Sequence, residues 1–244
     1  NDRFAGGLLR NGVFSNAGLP GIGYDDDDEI GSPYERKKRH LPEKIEKDIP
    51  LDDPKAINTL KSGSATDLLQ LDITVITAGD QYVIAPGELV NTWKAGNRKF
   101  FRYVDTKPGL YFPFGIVSAR FKRATETVNI GTASKRVSIA IFYHPDHGTN
   151  IPRFMSAYKD GLKYFSQAYG EYPLSAIRLA ETSLYSPREV SMTSMDTYPE
   201  YQSWNAAFSD PNQFDYIYFN TSRLLAQQWW RFQVAPNATT GSMV

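Results

Sequence analysis

Cysteine is absent from the 244-residue sequence, and histidine occurs at only three positions, His40, His144 and His147. Without cysteine, the chain has no disulfides, thiolate nucleophiles or thiolate metal ligands. Any metal site or catalytic triad must therefore use these imidazoles or carboxylates. The charges also balance, with 27 Lys and Arg against 27 Asp and Glu, so no net field attracts a polyanion and we expect no nucleic-acid partner.

Long hydrophobic runs are missing as well. The sequence has no stretch of about 18 apolar residues, and it does not open with a signal segment. Hydrophobic residues make up 41% and aromatic residues 14% of the chain, which is typical of a folded protein and not of a disordered one. Because the first residue is Asn1, we expect a soluble piece of a longer protein.

The order of secondary-structure patterns predicts an α+β fold. Residues 1–63 are rich in glycine, proline and charge, and we expect them to be irregular and to lie on a surface. Short β-branched and aromatic segments follow and predict an antiparallel sheet. Apolar residues then recur every three or four positions over 154–169, and a last helix is expected over 214–232. The predicted strands are 69–77, 82–85, 89–93, 99–104, 116–123, 137–143 and 177–180, and residues 183–204 are expected to be irregular.

Two charged runs within residues 1–63 each have two interpretations. The acidic run at 25–29 either is a solvated loop or holds calcium, and the solvated loop is favoured because the run lacks the alternation and the glycine of a calcium loop. The basic run at 36–39, in a short helix that begins at Ser32-Pro33, is either a solvated helix face or a contact for lipid headgroups.

The last helix contains the most informative motif. Leu225-Ala226, Gln228-Trp229-Trp230 and Val234-x-Pro236 resemble the zinc-binding helix of the M1 family of metallopeptidases, His-Glu-x-x-His-Gln-Trp followed by an aromatic residue, Val and Pro. In that family the two imidazoles lie one turn apart beside a general-base Glu. The resemblance implies that Arg223 occupies the first His position, Leu224 the Glu position and Gln227 the second His position.

The resemblance covers nearly the whole chain, and it is strongest to the M1-like domains attached to bacterial ABC-2 type transporter permeases. It implies an antiparallel β-sandwich or saddle-shaped domain over residues 1–148, followed over 149–244 by the start of a thermolysin-like α/β domain. It also implies a membrane-tethered parent chain and a location on the extracytoplasmic side of a bacterial membrane. The other segments that carry it are residues 24–42, Asp53-Pro54-Lys55-Ala56, Ile84-Ala85-Pro86-Gly87, Tyr143-His144-x-x-His147 and Gly241-Ser242-Met243.

The three replacements predict that this helix does not bind zinc. A guanidinium stays charged and has no lone pair to donate, a carboxamide oxygen is a weak ligand, and a leucine cannot move a proton. We therefore expect no metal and no cofactor, although zinc is the metal of the family. The resemblance places the family's third zinc ligand, a Glu on the following helix, beyond Val244.

Candidate binding residues remain on and near the helix. Arg223 either pairs with Glu189 or Asp196, which is favoured, or binds an anionic ligand such as a peptide carboxylate. Gln227, Glu189 and Asp196 complete the candidate set. The Gly-x-Met-Glu-Asn strand that holds the substrate amine in M1 aminopeptidases is expected between Ser183 and Trp204, and no such motif occurs there.

Two histidines and two tryptophans could serve a functional site, but a structural role is favoured for them. His144 and His147 could offer two metal ligands, but Pro145 prevents a helical turn between them and no third ligand is evident, so a turn between domains is favoured. Trp229 and Trp230 form either an aromatic platform for a substrate or part of the core, and we expect Trp229 to be buried.

Two main classes of function follow. The favoured hypothesis is a catalytically inactive relative of the M1 peptidases that binds a peptide or protein partner for a transporter-like membrane protein. The alternative is an active zinc-dependent M1 metallopeptidase with atypical ligands or with essential residues beyond Val244. A carbohydrate-binding sandwich is a third possibility, supported by the strands and aromatic residues alone.

Overall fold

The structure, a computed structural model, describes residues 15–17, 30, 32–44, 52–57, 69–109, 114–131, 135–183, 189–200, 202–210 and 212–230. The acidic run at 25–29 and the segment after Trp230 lie outside these ranges, so the interpretations that depend on them stay predictions. The chain forms two compact units. One comprises residues 1–18 and 64–235 together with Val244, and the other comprises residues 19–63 and 236–243.

The smaller unit contains two short helices, α1 (Pro33–Lys38) and α2 (Pro54–Ile57). Ser32 caps α1 as predicted, because its hydroxyl accepts a hydrogen bond from the Glu35 N–H at 3.5 Å. The expectation of a solvated basic face is wrong for Arg36. That side chain is buried, since its guanidinium donates hydrogen bonds to the carbonyls of Pro42 and Ile30 at 2.7 and 2.9 Å.

The larger unit is built mainly from short strands. In chain order they are β1 (Ser15–Ala17), β2 (Leu69–Ala78), β3 (Tyr82–Ile84), β4 (Glu88–Ala95), β5 (Arg98–Gly109), β6 (Ile116–Ala119), β7 (Lys122–Ile130), β8 (Lys135–Tyr143), β9 (Ala176–Thr182), β10 (Val190–Met192) and β11 (Met195–Pro199).

These strands form three sheets that pack as layers. Two sheets have three strands each, in the orders β1-β6-β3 and β2-β5-β4, and every pairing in them is antiparallel. The third has five strands in the order β10-β11-β9-β8-β7. In it, β8, β9 and β11 are parallel neighbours, so their carboxyl ends meet at one edge of the sheet.

Two longer helices, α3 (Ile151–Tyr169) and α4 (Tyr216–Trp230), cover one face of the five-stranded sheet. Strand alternation divides the side chains between the two faces, because Ile141 packs against the helices while Phe142 packs towards the sheet that contains β3 and β6. The helices approach closely where α3 has Gly161. A Cβ at that position would lie 2.8 Å from Leu225 Cδ2, which explains the absence of a side chain there.

The α+β class predicted from the sequence is confirmed. The prediction of a single strand over 116–123 is wrong, because Arg120 and Phe121 separate two strands there, β6 and β7. The segment 183–204 is not wholly irregular, because it contains β10, β11 and a short 3-10 helix, Gln202–Trp204. The division at residue 148 stays a prediction, and strand pairing joins β8 from before it to β9 from after it.

Among the described residues, no helix is both long enough and apolar enough to cross a membrane.

Candidate functional site

Helix α4 contains the three residues that the sequence analysis placed at the zinc-ligand and general-base positions of the M1 motif. Arg223 is exposed, Leu224 is buried to 1% exposure and Gln227 is half-buried. Successive residues on a helix point about 100° apart, so Arg223 and Leu224 face in different directions. Leu224 belongs to the apolar core between the helices and the five-stranded sheet.

The outward side of α4 presents a row of four side chains, which we call the α4 stripe. It consists of Phe219, Arg223, Gln227 and Trp230, and their spacing of four, four and three residues puts them on one helix face. Phe219 and Trp230 are 53% and 43% exposed, so this face of the helix presents two aromatic rings. Trp229, on the other side, is buried as predicted, and its indole N–H donates to the Gly170 carbonyl at 2.8 Å.

Arg223 pairs with Glu189, which confirms the favoured sequence interpretation. Its Nη2 lies 2.9 Å from Glu189 Oε1, and the two side chains are 45% and 26% exposed. Glu189 directly precedes β10, so this pair connects the middle of α4 to the start of the β10–β11 hairpin. Because both groups remain in contact with water, the pair is an accessible feature of the surface and contributes little to stability.

Asp196, the other acidic candidate, lies in a different environment from Glu189. It is on β11, is fully buried, and accepts hydrogen bonds from Tyr158 Oη at 2.8 Å and Gln228 Nε2 at 3.2 Å. Burial raises the pKa of Asp196 to about 6, against the opposing effect of its hydrogen-bond donors. The structure therefore separates the two acidic candidates into one surface ion pair and one interior carboxyl group.

Gln228 is the centre of the polar network around Asp196. Its amide nitrogen also donates to Ser191 Oγ and to the Met192 carbonyl, both at 2.8 Å, and its amide oxygen accepts the Ser194 N–H at 3.0 Å. These contacts fix α4 against the β10–β11 hairpin. In the sequence analysis, Gln228 was only one of the residues that match the M1 motif. A single glutamine beside two tryptophans did not indicate that its side chain would be the centre of a buried hydrogen-bond network.

A second group of functional side chains lies at the carboxyl edge of the five-stranded sheet. His147, Glu181 and Glu200 are each at most 2% exposed, and one donor atom from each lies within 4.8 Å of the others. His147 lies in the turn that the sequence predicted after β8, but the expectation that no third ligand is nearby is wrong. Glu181 and Glu200 are distant in sequence, and only the parallel pairing of the strands brings them to His147.

The charge state of this second group is set by burial and by mutual contact. His147 Nδ1 is in hydrogen-bond contact with Glu181 Oε1. Burial acts to lower the pKa of His147, but the contact with Glu181, together with the charges of Glu200 and Asp146, outweighs it and raises that pKa above its usual value. Burial raises the pKa of Glu181, and the neighbouring Glu200 charge adds to the increase.

Comparison with solved structures identifies the fold. An M1 zinc metallopeptidase from Deinococcus radiodurans superposes with a TM-score of 0.53 at 18% identity over 68% of this chain and 34% of its own. A two-domain M1 zinc metallopeptidase variant bound to L-arginine has a TM-score of 0.52 at 18% identity over 68% of this chain and 35% of its own. Aminopeptidase A of Legionella pneumophila, in complex with aspartic acid, has a TM-score of 0.53 at 14% identity over 66% and 19%. The chain thus spans about a third or less of the length of these proteins.

At this level of identity the likeness shows the fold and no more. About two thirds of the chain has the architecture found in part of the M1 zinc metallopeptidases. No protein-family model matches the sequence, and no curated protein matches it.

The zinc that such proteins carry does not fit the residues of α4. The guanidinium of Arg223 has no lone pair and is held by Glu189, Leu224 is part of the apolar core, and Gln227 could offer only an amide oxygen. No step of a zinc-dependent reaction can be derived from this helix.

Proposed function

We propose that the chain is a non-catalytic module with an M1-peptidase-like fold that binds a peptide or protein partner on the α4 stripe. The observation that carries the proposal is the burial of Leu224, at 1% exposure in the apolar core, at the position where the family motif has its general base. A group that can neither accept nor donate a proton cannot activate water.

The α4 stripe has the chemistry expected of a peptide-binding surface. Two exposed aromatic rings, Phe219 and Trp230, flank a guanidinium, and aromatic residues and arginine are enriched where proteins bind partners. Arg223 already holds one carboxylate, that of Glu189, in an exposed pair. A peptide carboxylate could replace or share that contact, because the guanidinium has five N–H donors in a planar fork.

The wider setting is part of the same proposal. The resemblance described from the sequence supports a transporter-associated membrane protein of a bacterium, with this module on the extracytoplasmic side. The balanced charge of 27 basic and 27 acidic residues supports a peptide or protein partner rather than nucleic acid.

Fluorescence polarisation with tripeptides that carry an N-terminal fluorophore tests the binding site. Peptides with a free C-terminal carboxylate are expected to bind saturably, and their amidated counterparts at least about tenfold more weakly, because a charge-assisted hydrogen bond is worth roughly 1.5–3 kcal/mol. Arg223→Gln should remove this preference. The control is Arg120→Gln, which alters another exposed arginine, one paired with Asp80.

Two results would overturn the proposal that the α4 stripe binds the peptide carboxylate. One is equal affinity for the free and amidated peptides, and the other is an Arg223→Gln variant that retains the preference for the free carboxylate. Chelator-sensitive hydrolysis of the peptides would instead favour the alternative of an active zinc-dependent metallopeptidase.

A further inference from the structure

The buried group of His147, Glu181 and Glu200 arises from the topology of the five-stranded sheet. Glu181 is the next-to-last residue of β9, Glu200 directly follows β11, and His147 lies in the turn after β8. These three strands are parallel neighbours, so the side chains converge from three separate segments at one edge. In sheets of this kind, the carboxyl ends of the strands are the usual location of bound ligands.

Burial makes this convergence costly unless something offsets the charge. Glu181 is 0% exposed, while His147 and Glu200 are 2% exposed. Carboxylates are almost never fully buried without a hydrogen-bonding or charged partner. The imidazole of His147 offsets part of this charge, because its Nδ1 is in hydrogen-bond contact with Glu181 Oε1.

The donor atoms are of a kind and spacing that a single divalent ion can use. The three ligand atoms lie within 4.8 Å of one another. Zinc binds imidazole nitrogen and carboxylate oxygen at about 2.0–2.2 Å, which puts the ligands of a tetrahedral site roughly 3.4 Å apart. Ion binding would therefore separate His147 Nδ1 and Glu181 Oε1, which are in hydrogen-bond contact, by roughly 1 Å. One imidazole with two carboxylates favours zinc over calcium or magnesium, which prefer oxygen ligands alone.

The surrounding backbone fixes the ligands in place. Glu181 Oε2 accepts the His144 N–H at 2.6 Å, and the Glu200 N–H donates to the Thr182 carbonyl at 2.7 Å. Such outer contacts orient metal-binding side chains.

Asn150 holds the segment that follows Glu200. Its side-chain amide donates to the Ser203 carbonyl at 2.7 Å and to the Ala206 carbonyl at 3.0 Å. Its own backbone N–H donates to the Trp204 carbonyl at 3.0 Å. Because Asn150 caps α3, the start of that helix and the chain after β11 are tied together beside His147.

We propose that His147, Glu181 and Glu200 form a structural zinc site that joins the turn after β8 to the ends of β9 and β11. The three ligands are buried and leave the fourth position of a tetrahedral zinc for a water, and the role of the ion is to hold these three segments together. It is separate from the α4 positions that resemble the M1 zinc helix, and it does not depend on the proposed function.

The first experiment measures zinc binding by the full chain. The protein is stripped of metal with a chelator, dialysed and titrated with zinc sulfate by isothermal calorimetry. One equivalent is expected to bind, and His147→Ala and Glu200→Gln should each weaken binding by at least about 100-fold, since losing even an outer contact of a metal site costs 10–100-fold. Glu126→Gln, which alters a half-exposed glutamate paired with Lys159, should bind zinc as the parent does.

A second measurement does not depend on whether the buried variants fold. X-ray absorption at the zinc edge of the parent protein should show scattering from imidazole together with oxygen ligands. The proposal is overturned if the parent binds no zinc saturably, if the absorption spectrum lacks imidazole, or if a folded Glu200→Gln variant retains the parent's affinity. Zinc that is bound without peptide hydrolysis leaves the proposed function intact, because none of these ligands lies on α4.

Discussion

The guanidinium of Arg223 donates a hydrogen bond to the carboxylate of Glu189 across 2.9 Å, on the helix that resembles the zinc-binding helix of the M1 peptidases. If the resemblance described from the sequence is correct, a cation from the protein itself occupies the position that has a metal-binding imidazole in the family motif. The next residue, Leu224, faces the core. Two adjacent residues of α4 therefore differ in their surroundings, since Arg223 makes an ion pair on the surface and Leu224 packs in the interior.

The Arg223–Glu189 pair should contribute little to stability. Both side chains are partly exposed, at 45% and 26%, and exposed ion pairs contribute about 0–1 kcal/mol. Arg223→Ala and Glu189→Ala should each lower the free energy of unfolding by less than about 1 kcal/mol, with a coupling energy in the same range. Urea unfolding of the two single variants and the double variant measures this. A coupling well above that range would mean that the pair is shielded from water.

Leu224→Glu should destabilise the protein strongly. Leu224 is 1% exposed, and a carboxylate at that position would be buried among apolar side chains. The expected loss is more than about 3 kcal/mol in the free energy of unfolding, whereas the volume-conserving control Leu224→Met should lose less than about 1.5 kcal/mol. Equal stability of the two variants in urea would show that position 224 is open to solvent.

Gln228 and Gln227 are adjacent but should respond very differently to replacement by alanine. Gln228 is 3% exposed and satisfies the Ser194 N–H, so Gln228→Ala leaves a buried donor without its acceptor. We expect a loss of about 2–4 kcal/mol, because a buried unsatisfied group and a lost side chain both contribute. Gln227→Ala, at a half-buried position, should cost less than about 1 kcal/mol. Thermal and urea unfolding compare the two, and the reverse order would contradict the buried network.

Asp196 should make the protein less stable as the pH rises from about 4 to about 7. Its pKa in the folded state is raised from 3.8 to about 6, so the folded state holds the proton more tightly than the unfolded state. The contribution to stability is complete below the unfolded pKa and is lost as the pH rises through the folded pKa. A shift of this size corresponds to about 3 kcal/mol in the free energy of unfolding.

Asp196→Asn should remove the part of this pH dependence that Asp196 contributes, whereas Glu181 and His147, whose pKa values are also raised, retain theirs. Urea unfolding between pH 4 and pH 8 should show a smaller fall in stability for this variant than for the parent. The control is Asp80→Asn. The hydrogen bond from Arg120 lowers the pKa of exposed Asp80, so this variant should show the same decrease in stability between pH 4 and pH 8 as the parent. An Asp196→Asn variant whose stability falls as steeply as the parent's would show that another group titrates.

The sequence predicted features that depend on neighbouring residues along the chain. The period of α3, its end before Gly170, the hairpins around β4 and β5 and the burial of Trp229 all follow from local patterns. The Arg223–Glu189 pair was also predictable, because it needs only a helix beside the segment before β10.

The features that were missed depend on pairing between distant segments. Strands β10 and β11 are three and five residues long and too short for a periodic signal. Glu181 and Glu200 reach His147 only because β8, β9 and β11 are parallel neighbours. Nothing in the local sequence around Asp196 indicates that the end of α4 buries it and supplies the amide of Gln228.

Metal content and hydrolysis, measured together on the same preparation, test the central claim most directly. The purified chain is supplied with zinc and assayed against a panel of aminoacyl-methylcoumarylamide substrates, with and without a chelator. We expect no hydrolysis above the buffer rate, whether zinc is bound or not, because Arg223, Leu224 and Gln227 of α4 provide neither metal ligands nor a general base. Hydrolysis that zinc supports and the chelator abolishes would contradict this expectation.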